Sequence, residues 1–179
     1  MRRAVVPPGV TLRVGLAADA GAVAAVQVDS WRAAYVGLLP DAVLDGLSLG
    51  HKTRGWARVL GEGSQYVVVA ESGGRIVGFA SSGPGRDADL DRTTGQLITL
   101  YVVPGAWGTG VGRALHDAEL CRLADAGCRH GVVWMLSTNA RARRFYDRQG
   151  WTADGRLRVQ QFGGTVVLDR RLARSLAAG

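Results

Sequence analysis

Cysteine is nearly absent: Cys121 and Cys128 are the only two in 179 residues. Two thiols do not make a disulfide-stapled scaffold, and these lie seven apart near the end of one helix-like segment. They read as reduced core side chains rather than as a bridge. Histidine is also scarce. His51, His116 and His130 are scattered, and without a cysteine or histidine cluster no zinc or other metal set is expected. No apolar run approaches the roughly 18 residues of a membrane-spanning helix, so no membrane partner is expected. Met1-Arg-Arg-Ala-Val-Val-Pro-Pro8 lacks the apolar stretch and cleavage pattern of a signal peptide. It reads as a frayed tail, and cytoplasm is the expected compartment. Blocks of like charge are missing too. The net charge is +7 and the pI about 10.4, but the arginines that carry it are spread along the chain. With no recognised nucleic-acid motif, that spread charge makes nucleic acid the weakest class of partner. Lysine is reduced to Lys52 alone.

Glycine is what the chain has in quantity, 26 residues of it. Pro104-Gly-Ala-Trp-Gly-Thr-Gly-Val-Gly-Arg-Ala114 places glycines at 108, 110 and 112. They stand between an apolar run, Leu97 to Val103, and a helical pattern, Val111 to Ala126. Without a Cβ, backbone there lets a ligand approach closely. The N–H groups opening a helix favour negative charge, so the segment makes a seat for a pyrophosphate. Two common phosphate signatures do not fit it. A dinucleotide fingerprint needs Gly-x-Gly-x-x-Gly, but Arg113 and Leu115 occupy the third-glycine positions. A P-loop needs Gly-Lys-Ser/Thr, and Lys52 lies far upstream. A glycine-rich turn without a ligand is the alternative.

A second segment follows about thirty residues on. Gly131-Val-Val-Trp-Met-Leu136 reads as a buried strand, Ser137-Thr-Asn139 supplies cap-type residues, and Ala140 to Gln149 fits a helix closed by Gly150. Asn139, Ala142 and Tyr146 share one face of that helix. A capped amphipathic helix with Phe145 and Tyr146 in the core would show the same pattern.

The two segments, in this order, resemble the GNAT N-acetyltransferase family. Gly110 and Gly112 match its pyrophosphate motif, Arg/Gln-x-x-Gly-x-Gly/Ala, while Trp107 stands where Arg or Gln is usual. Asn139, Phe145-Tyr146 and Gly150-Trp151 match its C-terminal signature. Leu12 to Asp19, Ser30-Trp-Arg-Ala-Ala-Tyr35 and Gly37-Leu-Leu-Pro40 extend the likeness toward the N-terminus. The resemblance implies acetyl transfer from acetyl-CoA to a primary amine by direct attack, with no metal. Gly108, Thr109, Gly110, Val111, Gly112, Arg113 and Ala114 would hold the pyrophosphate, and Asn139 would contact the pantetheine arm. Backbone N–H groups at Val102 and Val103 would hold the thioester carbonyl. Tyr146 would protonate the departing thiolate, chemistry that suits a phenol protonated at neutral pH.

The general base stays open. Related sequences often carry Glu where this chain has Gln96, and an amide accepts no proton usefully near neutral pH. Glu71, Asp29, a water held by Gln96 or Thr99, or an amine needing no base are the alternatives. The acceptor, a small molecule or a peptide, is equally open; Trp31 and Tyr35 either line its pocket or pack in the core. Binding of acyl-CoA without turnover is the second reading of the whole chain, and a basic nucleic-acid-binding protein the third. A homodimer through residues 151–170 accords with the family. Arg141, Arg143, Arg144 and Arg148 read as a solvated helix face, with the adenosine 3′-phosphate as the functional alternative for some.

The expected order is strand 11–15, helices 19–34, 40–47 and 50–60, strands 65–71, 75–83 and 95–103, helix 110–126, strand 131–136, helix 139–149, and strands 151–159 and 161–170. Ser72-Gly-Gly74 signals a hairpin. The order predicts one α/β domain over 11–172, a GNAT-like central mixed, mostly antiparallel sheet flanked by helices. Residues 1–10 and 173–179 would be tails. Asp87, Asp89 and Asp91 alternate without the glycine and glutamate of a calcium loop, so they predict a charged, mobile connection.

Overall fold

A computed structural model describes residues 4–176 of the chain. Seven strands form one sheet: β1 (Val10–Val14), β2 (Tyr66–Ser72), β3 (Arg75–Pro84), β4 (Thr94–Val102), β5 (His130–Leu136), β6 (Thr152–Phe162) and β7 (Thr165–Ser175). Their spatial order is β1-β2-β3-β4-β5-β7-β6, with β4 and β5 the one parallel pair. Five α-helices cover the sheet: α1 (Ala20–Ala34), α2 (Asp41–Asp45), α3 (Leu49–Glu62), α4 (Val111–Asp125) and α5 (Ala140–Arg148). The mixed, mostly antiparallel sheet flanked by helices matches the expected class.

Both faces of the sheet are covered, which explains why β2 reads as a continuous apolar run instead of an alternating one. Val67, Val69 and Phe79 face α1 and α3 with Val23, Ala24 and Trp56. Val68, Ala70, Ala80 and Val102 face α4 and α5 with Leu115, Leu120 and Tyr146. Trp56 donates to Gln27 Oε1 at 2.8 Å, and Trp151 donates to His116 Nε2 at 2.9 Å, so two buried indoles have partners.

Three expectations need correction. The last hairpin turns at Gly163-Gly164, where both φ angles are positive (53° and 83°), not near residue 160. A two-residue turn with two positive φ values matches the twist of the flanking strands, so Gly-Gly sets the register. Ser72 pairs with Arg75 across the other such turn, as expected. Next, β7 continues to Ser175 and Leu176 is buried, so residues 173–176 belong to the folded body. Residues 1–3 and 177–179 of the two expected tails lie outside the described residues. Third, the aspartate loop is tied down. Arg171, only 4% exposed, donates to Asp87, Asp89 and Asp154 at 2.6–2.9 Å, and Asp91 accepts from Thr93 and Thr94. Among the described residues no helix is long and apolar enough to cross a membrane, and no group of three metal-binding side chains forms.

One buried acid makes the core sensitive to pH. Glu119 of α4 is fully buried and accepts from Ser82 Oγ at 2.5 Å. Burial pushes its carboxyl up to about 7 from an ordinary 4.5, against the opposing pull of Ser82. The folded state therefore binds this proton more tightly than the unfolded chain. Its stabilising contribution is complete below about 4.5 and is lost as pH rises through about 7, on the order of 3 kcal/mol. Melting wild type and Glu119→Gln from pH 5 to 8 checks this: wild type should lose up to about 10 °C more than the variant. Parallel curves would refute it.

Candidate active site

The parallel pairing of β4 and β5 is short. Thr94 to Leu97 pair with His130 to Val133, and beyond that the two strands part. A bulge starts the separation: Ser81 pairs with Thr99 and Ser82 with Leu97, which leaves Ile98 as the extra residue. Ile98–Val102 and Val133–Leu136 thereby become the two walls of an open cleft of about 790 Å³. The glycine loop and α5 close its ends.

Ladder parity decides which backbone groups of β4 face the cleft. Val103 N donates to Val77 O at 2.9 Å, so its N–H is engaged toward β3. Antiparallel pairs alternate, so the N–H and C=O groups of Val102 and Leu100 point the other way, toward the gap. Val102 O confirms this direction, accepting from Ser30 Oγ at 3.0 Å and from Trp107 Nε1 at 2.6 Å. Of the two donors expected from the sequence, Val102 is available and Val103 is not. Leu100 takes its place.

At the far end of β4, Pro104–Ala106 forms a single 3-10 turn. Gly108 (φ 80°) and Gly110 (φ 96°) then occupy left-handed conformations that a side chain would strain. Gly110 is the N-cap of α4, and the first intrahelical acceptor is its own carbonyl, which takes the N–H of Ala114. Val111, Gly112 and Arg113 thus hold the unpaired N–H groups of a helix N-terminus. Gly108, Gly110, Gly112 and Arg113 line the cleft; Val111 turns into the core with Ala114, and Thr109 donates back to Ala106 O.

Asn139 caps α5, its Oδ1 accepting from Ala142 N at 2.9 Å, and the residue also lines the cleft. Tyr146, 7% exposed, packs against Phe145 and Trp151, and it reaches the cleft too. Burial, and next the neighbouring Tyr101, push its hydroxyl well above the ordinary tyrosine value. The phenol therefore keeps its proton across the neutral and mildly alkaline range.

The carboxylate candidates lie elsewhere. Glu71 accepts from Arg13 at 2.9 Å and shares with Asp29 a separate depression at the edge of β1 and α1. Gln96 is buried in the paired part of β4, below the split. Thr99 does line the cleft, with its hydroxyl 2.7 Å from that of Ser81. Tyr35 lines it as well, while Trp31 packs behind, 5.0 Å from Tyr35 and 6.0 Å from Phe162. Arg141, Arg144 and Arg148 border the cleft, whereas Arg143 pairs with Asp147 on the outer face.

Sequence reasoning missed Ser30, Tyr101 and Trp134. Ser30 carried a signal, since it falls seven residues after Val23 on the buried face of α1. Trp134 carried none, because its position depends on Asp87 and Arg171 far away in the chain.

Comparisons with known proteins bear on the fold and the family. A sequence model of the acetyltransferase (GNAT) family matches residues 29–151. A Mycobacterium tuberculosis protein described as a probable N-acetyltransferase is 29% identical over 152 residues, 84% of each chain. A solved N-acetyltransferase from Rhodopseudomonas palustris superposes with a TM-score of 0.75 at 24% identity, covering 96% of this chain and 98% of that one. PaiA N-acetyltransferase from Thermoplasma acidophilum, solved with coenzyme A, gives 0.72 at 14% identity, covering 93% and 98%. With well over half its length matched, the chain belongs to the GNAT acetyltransferase family, a family of acetyl-CoA-dependent acyltransferases.

Proposed function

We propose that this chain transfers the acetyl group of acetyl-CoA to a primary amine by direct attack, on one domain running from β1 through Leu176. The observation that carries the reading is the split between β4 and β5. It brings the outward N–H groups of Leu100 and Val102 into one cleft with Tyr146 and the N-terminus of α4. A solved chain of the same fold holds coenzyme A, which supports the same occupant here.

The parts fit that occupant chemically. The first-turn N–H groups of α4, beside glycines that carry no Cβ, suit a pyrophosphate. The N–H of Val102 suits the thioester oxygen, on which negative charge grows as the amine adds, and donors preset for that charge lower the barrier. Ser30 and Trp107 hold the carbonyl of the same residue and so fix its orientation. The amine nitrogen bonds to the acyl carbon, the carbon–sulfur bond breaks, and Tyr146 gives its proton to the sulfur. The amine gives up its own proton through a water held by Thr99, which lines the cleft, and that proton returns Tyr146 to its phenol form, so the protons balance. Asn139 orients the arm between the two ends.

A titration with acetyl-CoA tests the reading. The melting temperature should rise with concentration, as it does for any ligand that binds only the folded state. A flat response would overturn it. Binding without turnover is the second reading, favoured by one observation: among the described residues no carboxylate side chain lines the cleft. An amine panel followed by free-thiol release separates the two, since only a transferase liberates CoA in proportion to the amine.

A further inference from the structure

We infer that Arg141, laid flat on Trp107, supplies the cation of the pyrophosphate seat that the glycine loop itself lacks. The inference rests on the acetyl-CoA reading of the cleft. Residues 104–112 contain no charged side chain, and the next residue, Arg113, leans toward Asp117 at 3.6 Å. The loop therefore meets an anion with backbone dipoles alone. Arg141 comes from α5, about thirty residues away in sequence, and its guanidinium carbon lies 3.3 Å from the centre of the Trp107 ring. Both residues line the cleft beside Gly108 and Gly110.

Three features make this stack a clamp rather than a surface contact. Trp107 cannot swing freely, because its Nε1 donates to Val102 O at 2.6 Å. The plane on which Arg141 lies is thus tied to the strand that carries the thioester donors. A guanidinium stacked by its face keeps its N–H donors at the edge, where they match a phosphate in a bidentate fork. Finally, no carboxylate pairs with Arg141 among the described residues. Partial burial, and after it the neighbouring Arg144, pull its pKa down. Trp107 acts here as a positioning residue, and Arg141 as the group that touches the ligand.

The test is equilibrium binding of CoA, dephospho-CoA and pantetheine to wild type, Arg141→Ala, Arg141→Lys, Trp107→Phe and Trp107→Leu. Loss of a charge-assisted fork predicts that Arg141→Ala weakens CoA and dephospho-CoA equally, by about 10- to 100-fold. Pantetheine, which has no pyrophosphate, should bind the variant as it binds wild type. Trp107→Phe keeps a ring under the guanidinium but loses the Nε1 tether to Val102 O and should weaken CoA by about threefold to tenfold, whereas Trp107→Leu, which has no ring, should lose affinity like Arg141→Ala. Arg141→Lys should fall between, since an ammonium keeps the charge without the fork. Unchanged CoA affinity in Arg141→Ala overturns the clamp and leaves the function standing. An equal loss for pantetheine overturns it too, as a structural effect, and a loss confined to CoA moves the contact to the 3′-phosphate. Failure of wild type to bind CoA overturns both readings together.

Discussion

Tyr146→Phe should lower kcat by about 10²- to 10³-fold while leaving the KM for acetyl-CoA within a few-fold, the range expected on removing a general acid. The ring that packs against Phe145 and Trp151 is retained, so the melting temperature should not move. What disappears is the proton for the leaving sulfur. Because burial holds the hydroxyl protonated far above neutrality, wild type should show no alkaline decline that traces to this residue. With no carboxylate side chain lining the cleft among the described residues, the rate should instead rise with pH along the titration of the amine itself. Steady-state kinetics of both proteins from pH 6 to 9 on one acceptor decides the matter. Equal kcat values would remove Tyr146 from the mechanism.

Arg171→Ala is expected to be the most damaging substitution away from the cleft, at about 3 kcal/mol or more. The side chain sits 4% exposed between Asp87, Asp89 and Asp154, and it also faces the ring of Trp134 at 5.7 Å. Its removal leaves three carboxylates facing one another without their common cation. Arg171→Lys should recover little, because one ammonium cannot bridge acceptors on two loops as a planar fork does. For a domain of this size the loss corresponds to roughly 6–12 °C in Tm. Acid gives a further check. Arg171 holds the Asp89 carboxyl at about 2, below its ordinary 3.8, so that part of the stability is present above 3.8 and is lost as pH falls toward 2. The variant should lack that acid-sensitive step. Trp134 also forms part of the cleft wall, so the KM for the amine should rise in Arg171→Ala. A Tm shift below about 1 °C would show that the aspartate loop holds itself.

These two residues mark the limits of reading along the chain. The face that carries Asn139 and Tyr146 was legible because its helix announces itself locally, with Asn139 as cap and Gly150 as stop; the proton-donor role proposed for Tyr146 came from the family resemblance. The hairpin at Gly73-Gly74 was legible for the same reason, while the identical signal at Gly163-Gly164 was passed over in favour of a break near residue 160. Arg171 was not legible at all. Two of its three partners are 82 and 84 residues upstream, and the alternating aspartates looked like a loose charged loop until the arginine was placed between them. Val103 failed for a subtler cause. Which of two adjacent N–H groups faces the gap depends on ladder parity, and that parity is a property of the pairing with β3, not of β4.

Local pattern along the chain sufficed for most of the elements, the glycine turn at the head of α4, the cap at Asn139 and the family resemblance that rests on them. Each of these depends on residues within a turn or two of one another, where backbone sterics and capping bonds act. Packing across the sheet set the point after Leu97 where β4 and β5 part, and it put the N–H of Leu100 rather than that of Val103 beside Val102 at the gap. It also moved Glu71 and Asp29 out of the cleft, and it set Arg141 on Trp107. Those outcomes follow from a bulge, a strand register and side chains that meet across the sheet. Contacts between distant residues are chosen by how the whole core closes, and no local pattern encodes them.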